Sequence, residues 1–198
     1  MQSLADALKV DRKALHYHVK DRQSLFELVA RDAFSQHLAQ CGVADAGNWK
    51  EASRNYARSL AASAVAVAEL ADYLWFSDVV PGLSLEPVEA LFGHLHEAGF
   101  PDEEVVRLVT VLATLCLGHA RDLAQARKEV TRTRPGLLKS ALEAKGHRGF
   151  SNLERISALG TNTYALEQLD FSIELVLDGA DALLARLTND RLRPAPEG

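Results

Sequence analysis

The chain has 198 residues, of which 47% are hydrophobic and 25% charged, with a formal net charge of −5 at pH 7. A chain this long buries roughly 70% of its unfolded surface, so a full hydrophobic core is expected, and the composition is that of an ordinary soluble domain. These numbers exclude a disulfide scaffold, a protein that is basic throughout, and a membrane protein, because no apolar run reaches the ~18–20 residues of a span. The opening Met1-Gln2-Ser3-Leu4 lacks the basic-then-apolar layout of a secretory signal. The two cysteines, Cys41 and Cys116, fall in helical patterns and read as buried thiols of a reducing cytoplasm.

Charge is unevenly placed. Residues 1–25 carry Lys9, Arg12, Lys13, Lys20 and Arg22 against Asp6, Asp11 and Asp21, a net of plus two, which leaves minus seven for the remainder. A basic head on an acidic body suits a nucleic-acid module attached to something else.

Helical signals follow one another along the chain. Ser3 to Leu8 and Arg12 to Val19 are two short amphipathic segments joined by Lys9-Val10-Asp11. Leu4, Leu8, Val10, Leu15 and Val19 can face one core, with Ala5 small enough for a close helix crossing. Such a pair has helix-turn-helix geometry, and its second helix fits the major groove. The same residues also suit a charged surface helix within a bundle. Asp21 caps a helix running through Leu25, Leu28 and Phe34 to about Gly42. Asn48-Trp49-Lys50-Glu51 reads as a capping box that starts an Ala-rich helix reaching about Leu70. A short helix is expected over Asp72–Val80, ended by Pro81-Gly82. Pro87 sits in the first turn of the next helix, which stops at Gly99. Asp102 is expected to cap a long helix to about Val130, with Glu103 and Glu104 favoured by the helix dipole.

Residues 131–152 break the pattern and read as a loop with one short helix over Leu137–Ala144. The basic stretch 127–148 reads as a solvated loop or as a lid over a pocket. The last helix is expected from about Asn162, with Leu166, Leu169, Ile173, Val176, Leu177, Ala180, Leu183, Leu184 and Leu187 forming one broad apolar stripe. That stripe is wider than one small domain requires, so part of it is expected to face a second copy. The expected class is all-α, with no strand pattern and no repeat.

The string from Leu4-Ala5 through Leu8-Lys9-Val10, Leu15-His16-Tyr17-His18-Val19 and Lys20 to Leu25 resembles the DNA-reading motif of the TetR family. Leu169-Asp170-Phe171 through Leu177-Asp178-Gly179 resembles the final helix of that family's C-terminal domain. The resemblance implies an N-terminal helix-turn-helix and connecting helix over residues 1–42. It also implies a helical regulatory and dimerisation domain over 43–190, and a frayed tail over 191–198. It implies a homodimer joined through the C-terminal helices that reads a pseudo-palindromic double-stranded operator and is released by a small-molecule effector, with no membrane partner. Ser3, Arg12, Lys13, Ala14, His16, Tyr17, His18 and Arg22 are the implied DNA contacts. Polar or aromatic residues within apolar helices are candidate effector contacts: Tyr56, Trp75, Phe76, His94, His119 and Tyr164. The chain departs from the family at Lys9, where glycine is usual, and at His16, where tyrosine is usual. It also opens at the motif's first helix, without the helix that usually precedes it. An alternative follows: a dimeric small-molecule-binding helical protein that no longer reads DNA.

No enzyme is expected. The chain contains no nucleophile-elbow, zinc-protease, phosphate-loop or Cys-x-x-Cys motif. No cofactor or metal is expected either. Cys116 and His119 share a helix face, but two ligands do not make a closed site, and His94 and His96 diverge at i, i+2.

Overall fold

The computed structural model describes residues 5–7, 9, 11, 13, 17, 19–67, 85–128, 134–146, 149–159 and 161–192. Among these residues the regular structure is entirely helical. The elements are α1 (Arg22–Leu38), α2 (Trp49–Ala66), α3 (Glu86–Glu97), α4 (Asp102–Lys128), α5 (Arg134–Ala144), α6 (Ser151–Ser157) and α7 (Leu166–Leu192). The expected helix over Asp72–Val80 lies outside the described residues.

Local chemistry sets most of the boundaries. The Asp21 carboxylate accepts the Ser24 N–H at 2.7 Å and the Ser24 hydroxyl at 2.9 Å, satisfying an orphan donor of α1. Those bonds favour the ionised form and hold the Asp21 carboxyl below its usual value. At α2, Asn48 Oδ1 accepts the Glu51 N–H at 3.0 Å, as a capping box requires. Its reciprocal bond differs: Glu51 reaches past the cap residue and accepts the Gly47 N–H at 2.8 Å. At the end of α3, Gly99 takes φ +100°, the Phe100 N–H donates to Leu95 O at 3.1 Å, and the Gly99 N–H donates to His96 O at 2.9 Å. This paired closure satisfies two orphan carbonyls and needs a residue that tolerates positive φ.

Three expectations about helix ends are corrected. Asp102 is the first helical residue of α4, not its cap; the Val105 N–H bonds Pro101 O at 3.0 Å. The last helix begins at Leu166 rather than Asn162, because Asn162 Oδ1 accepts the Tyr164 N–H at 3.0 Å and holds the chain in a side-chain turn. It then continues to Leu192, so Arg191 and Leu192 are helical rather than part of a tail.

The helices pack in one bundle around α2 and α4, which lie against each other; α1 lies on α2, α3 on both, and α7 against α4 and α2. The core between them contains Tyr56 and Leu60 of α2, Leu91 and Leu95 of α3, Leu112 and Cys116 of α4, and Ile173 and Leu177 of α7. Burial pushes the Cys116 thiol and the Tyr56 phenol each up to about 12, so both stay protonated at neutral pH. The short helices α5 and α6 pack chiefly on one another, at the edge of the bundle.

An ion-pair ladder joins α2 to α7. Lys50 Nζ reaches Asp181 at 2.9 Å, Arg54 forks onto both oxygens of Glu174, and Arg58 Nε meets Asp170 at 2.8 Å. Each step of four residues forward on α2 is a step back on α7, so the two helices run antiparallel. Partly exposed pairs of this kind each contribute about 0–1 kcal/mol, so the ladder sets register more than it adds stability. The Arg54 fork also lowers the Glu174 carboxyl below its usual value.

Candidate nucleic-acid interface and ligand groove

The first residues of the chain form the reading head. Ala5 is fully buried and Val19 is buried, so the small residue expected at the helix crossing is enclosed there. Lys9 has φ +55°, the one positive φ at a non-glycine among the described residues, and its N–H closes a turn onto Asp6 O at 3.2 Å. The left-handed conformation predicted by the family's glycine is therefore held by a lysine. Lys9→Gly is expected to stabilise the head by about 0.5–1 kcal/mol, the usual gain when left-handed strain is removed from an L-residue less the added freedom of the unfolded glycine. Hydrogen exchange at Ala5–Ala7 is the measurement; unchanged or faster exchange in the variant overturns the strain argument.

The Lys13 N–H donates to Asp11 Oδ1 at 2.8 Å, so Asp11 caps the segment in which Lys13 and Tyr17 are helical. Lys13 is exposed and Tyr17 is 87% exposed, an unusual position for a large aromatic that is not facing a partner. Spaced four apart, they share one helix face. Arg22 is exposed at the start of α1 with its guanidinium 5.1 Å over the Phe26 ring, which steadies a long cation at the surface. With Lys9 and Lys20 also exposed, the head presents a basic surface. Ser3, Arg12, Ala14, His16 and His18 lie outside the described residues.

The candidate effector residues do not converge. Tyr56 is packed in the core. The His94 ring Nε2 lies 3.1 Å from Val43 O, and Asn55 Nδ2 donates to Gly42 O at 3.2 Å. These two bonds tie α3 and α2 to the chain just after α1, where Gly42 takes φ +60°. His94 thus engages the connection leading from the head. Trp75 and Phe76 lie outside the described residues. Tyr164 is half-buried in the turn before α7.

His119 lines a groove between α4 and α7 of about 330 Å³, open to solvent on one side. From α4 it shares the lining with Thr114, Leu115, Gly118 and Asp122. The opposite wall is Thr163, Gln168, Leu169 and Ser172. Gln168 Nε2 donates to Ser172 Oγ at 3.1 Å, and Ser172 Oγ donates to Gln168 O at 2.8 Å. The Thr163 hydroxyl is buried and has no hydrogen-bond partner among the described residues. A β-carbon at Gly118 would meet nothing within 4 Å, so glycine leaves the groove wide at its middle. Sequence reading overlooked these polar residues. The available signal was the spacing of Thr114, Gly118 and Asp122 and of Gln168 and Ser172, each step being one helical turn. Among the described residues, no group of three or more His, Cys, Asp or Glu is placed to hold a metal ion, and no helix is long and apolar enough to cross a membrane.

Next to the groove, α7 shows an apolar outer strip. Phe171 and Leu175 are 64% and 63% exposed, and they lie about 60° round the helix from Gln168 and Ser172. Gly179 and Ala182 continue this side as small exposed residues. The broad stripe expected on the last helix is therefore divided. Leu169, Ile173, Leu177 and Ala180 face the core, while Leu166 is 67% exposed.

Comparison with known proteins agrees with this architecture. A family model described as "Tetracyclin repressor-like, C-terminal domain" matches residues 42–184. The chain is also similar to a solved structure, a possible TetR family transcriptional regulator from Streptomyces coelicolor A3(2). The identity is 25% and the TM-score 0.66, over 92% of this chain and 88% of that one. No curated protein matches the chain. The match of the family model over well more than half the length, on an all-helical bundle entered through a basic helical head, establishes that the chain belongs to the tetracycline repressor-like (TetR) family of transcriptional regulators.

Proposed function

We propose that the protein is a cytoplasmic, non-enzymatic DNA-binding repressor that grips a pseudo-palindromic operator as a homodimer and is released by a small-molecule effector. Residues 1–42 form the reading head and its connecting helix, and residues 43–190 the regulatory and dimerisation domain. The observation that carries this reading is Tyr17, held almost fully exposed on a capped helix beside Lys13, with Arg22 braced on Phe26 at the edge of the same basic surface. Aromatic hydroxyls and cations in this arrangement reach base edges and phosphates. His16, His18, Arg12, Ala14 and Ser3 complete the implied contact set.

The route from effector to head is physical and short. Helix α3 holds the end of α1 through His94 and Val43 O, and α2 holds it through Asn55 and Gly42 O. A ligand that shifts α4 moves α2 and α3, which pack on it, and so tilts α1 and changes the separation of two heads. Coupling of this kind is reciprocal: effector and operator weaken each other by the same factor.

Selection from genomic DNA fragments, followed by anisotropy titration at several salt concentrations, tests the reading. A palindromic consensus is expected, with affinity falling steeply as salt rises. Tyr17→Ala should weaken operator binding by about 10-fold to 100-fold, the cost of one good base contact, while leaving the salt slope nearly unchanged. Absence of any sequence preference would instead favour a dimeric small-molecule-binding protein that does not read DNA, a reading motivated by the strained turn at Lys9.

A further inference from the structure

We infer that the groove between α4 and α7 is a binding site for a compact, uncharged, hydroxyl-rich molecule of hexose or cyclitol size. This rests on the reading of the chain as an effector-responsive regulator and names the chemistry of the effector. Volume sets the first limit. About 330 Å³ lies at the lower end of the ~300–1,000 Å³ range of small-molecule sites, which is too small for an extended or polycyclic ligand.

The lining sets the second limit. Thr114, Thr163 and Ser172 present hydroxyls, Gln168 an amide, His119 an imidazole and Asp122 a carboxylate. A hydroxyl both donates and accepts, so a polyol can complement every one of these groups. The buried Thr163 hydroxyl is an explicit vacancy for such a bond. An acyl chain would bury these polar groups without compensation, which is unfavourable. An anion would meet the Asp122 carboxylate with no lysine or arginine among the lining residues to balance it. Leu115 and Leu169 supply the small apolar surface that the C–H face of a ring requires.

Gly118 gives the means of testing this. It lies on the wall, it is exposed, and a side chain there meets no protein atom within 4 Å. Gly118→Phe therefore occupies the groove without disturbing the core. Thr163→Val removes one hydroxyl at nearly constant volume.

The experiment is calorimetric titration of the full chain with D-glucose, D-galactose, myo-inositol, D-glucuronate and octanoate, with operator binding measured in parallel. Saturable binding of at least one of the three neutral compounds is expected, with none for glucuronate or octanoate. Gly118→Phe should abolish that binding, Gly118→Ala should retain it, and Thr163→Val should weaken it about tenfold, the loss of a well-made hydrogen bond. Circular dichroism confirms that each variant is folded. Binding restricted to glucuronate or octanoate, binding to none of the five, or neutral binding that survives Gly118→Phe each overturns the assignment. Operator binding separates the two failures. A protein that grips operator but ignores the neutral compounds overturns only the ligand class. One that binds them in the groove but shows no operator overturns the repressor reading.

Discussion

Leu175→Asp is expected to convert the dimer to a monomer and to weaken operator binding by about 10²–10⁴-fold, the contribution of tethering a second head. The side chain is 63% exposed, beside Phe171 at 64%, on a helix whose other faces already have partners. One face enters the core through Ile173 and Leu177, and another carries Glu174 and Asp170 to the arginines of α2. The remaining face bears large apolar groups at 171 and 175 followed by small ones at 179 and 182. Across a two-fold axis near Leu175, antiparallel copies of α7 bring Phe171 of one protomer over Gly179 of its partner. Large meets small without a clash, and the closed symmetry limits assembly to two. An aspartate at the centre of that contact faces its own symmetry mate, and like charges out of water are costly.

The measurement is light scattering alongside operator titration. The wild type should have twice the 21.6 kDa chain mass and the variant one chain mass. Helical content should be retained, because the substituted side chain has no core contact to lose. A variant that stays dimeric places the interface elsewhere, with α5, α6 and their exposed Leu153, Ile156 and Leu159 the next surface to test.

The contrast between faces explains what sequence reading could and could not reach. Helix ends were legible wherever a single side chain decides them: Asp21, Asn48, Pro87 and Gly99 each act within one turn of their own position. The start of α7 was not, because the Asn162 turn competes locally with a helix that apolar periodicity alone would extend. The division of the α7 stripe was also hidden. Periodicity shows that a helix has an apolar side but not how many partners share it, so Phe171 and Leu175 emerge only once α2 and α4 occupy the other faces. Effector candidates suffered most. Large aromatics and histidines attract attention in a sequence, yet Tyr56 fills the core and His94 holds the backbone after α1. The groove is instead lined by threonine, serine and glutamine, which look like ordinary helix surface until α4 and α7 meet. The DNA-reading face fared better because it is local: Lys13 and Tyr17 are four residues apart on one short helix, and no distant element is needed to bring them together.

Ile173→Ala tests the opposite side of α7, and its expected effect is on the fold. Ile173 is fully buried between Leu169 and Leu177, at the seam where α7 joins α2 and α4. Truncation removes three buried carbons and leaves a void that close-packed neighbours fill only in part, a loss of about 2–5 kcal/mol. For a chain of this size that corresponds to a fall in Tm of roughly 5–15 °C, read at fixed protein concentration because a dimer's Tm depends on it. Ile173 and Leu175 are two residues apart on one helix, yet the first should cost stability and the second assembly. The buried seam also carries the ladder: once α7 loosens, Arg54 and Glu174 no longer meet in register, so acid sensitivity should change with it. Arg54 holds the Glu174 carboxyl below its unfolded value, so this pair stabilises the fold above that value and its contribution is lost as pH falls through the folded one. In Ile173→Ala, Tm should therefore fall less between neutral and acidic pH than in the wild type. A variant that keeps the wild-type Tm shows that the seam repacks around the void and that α7 is held by its outer contacts instead.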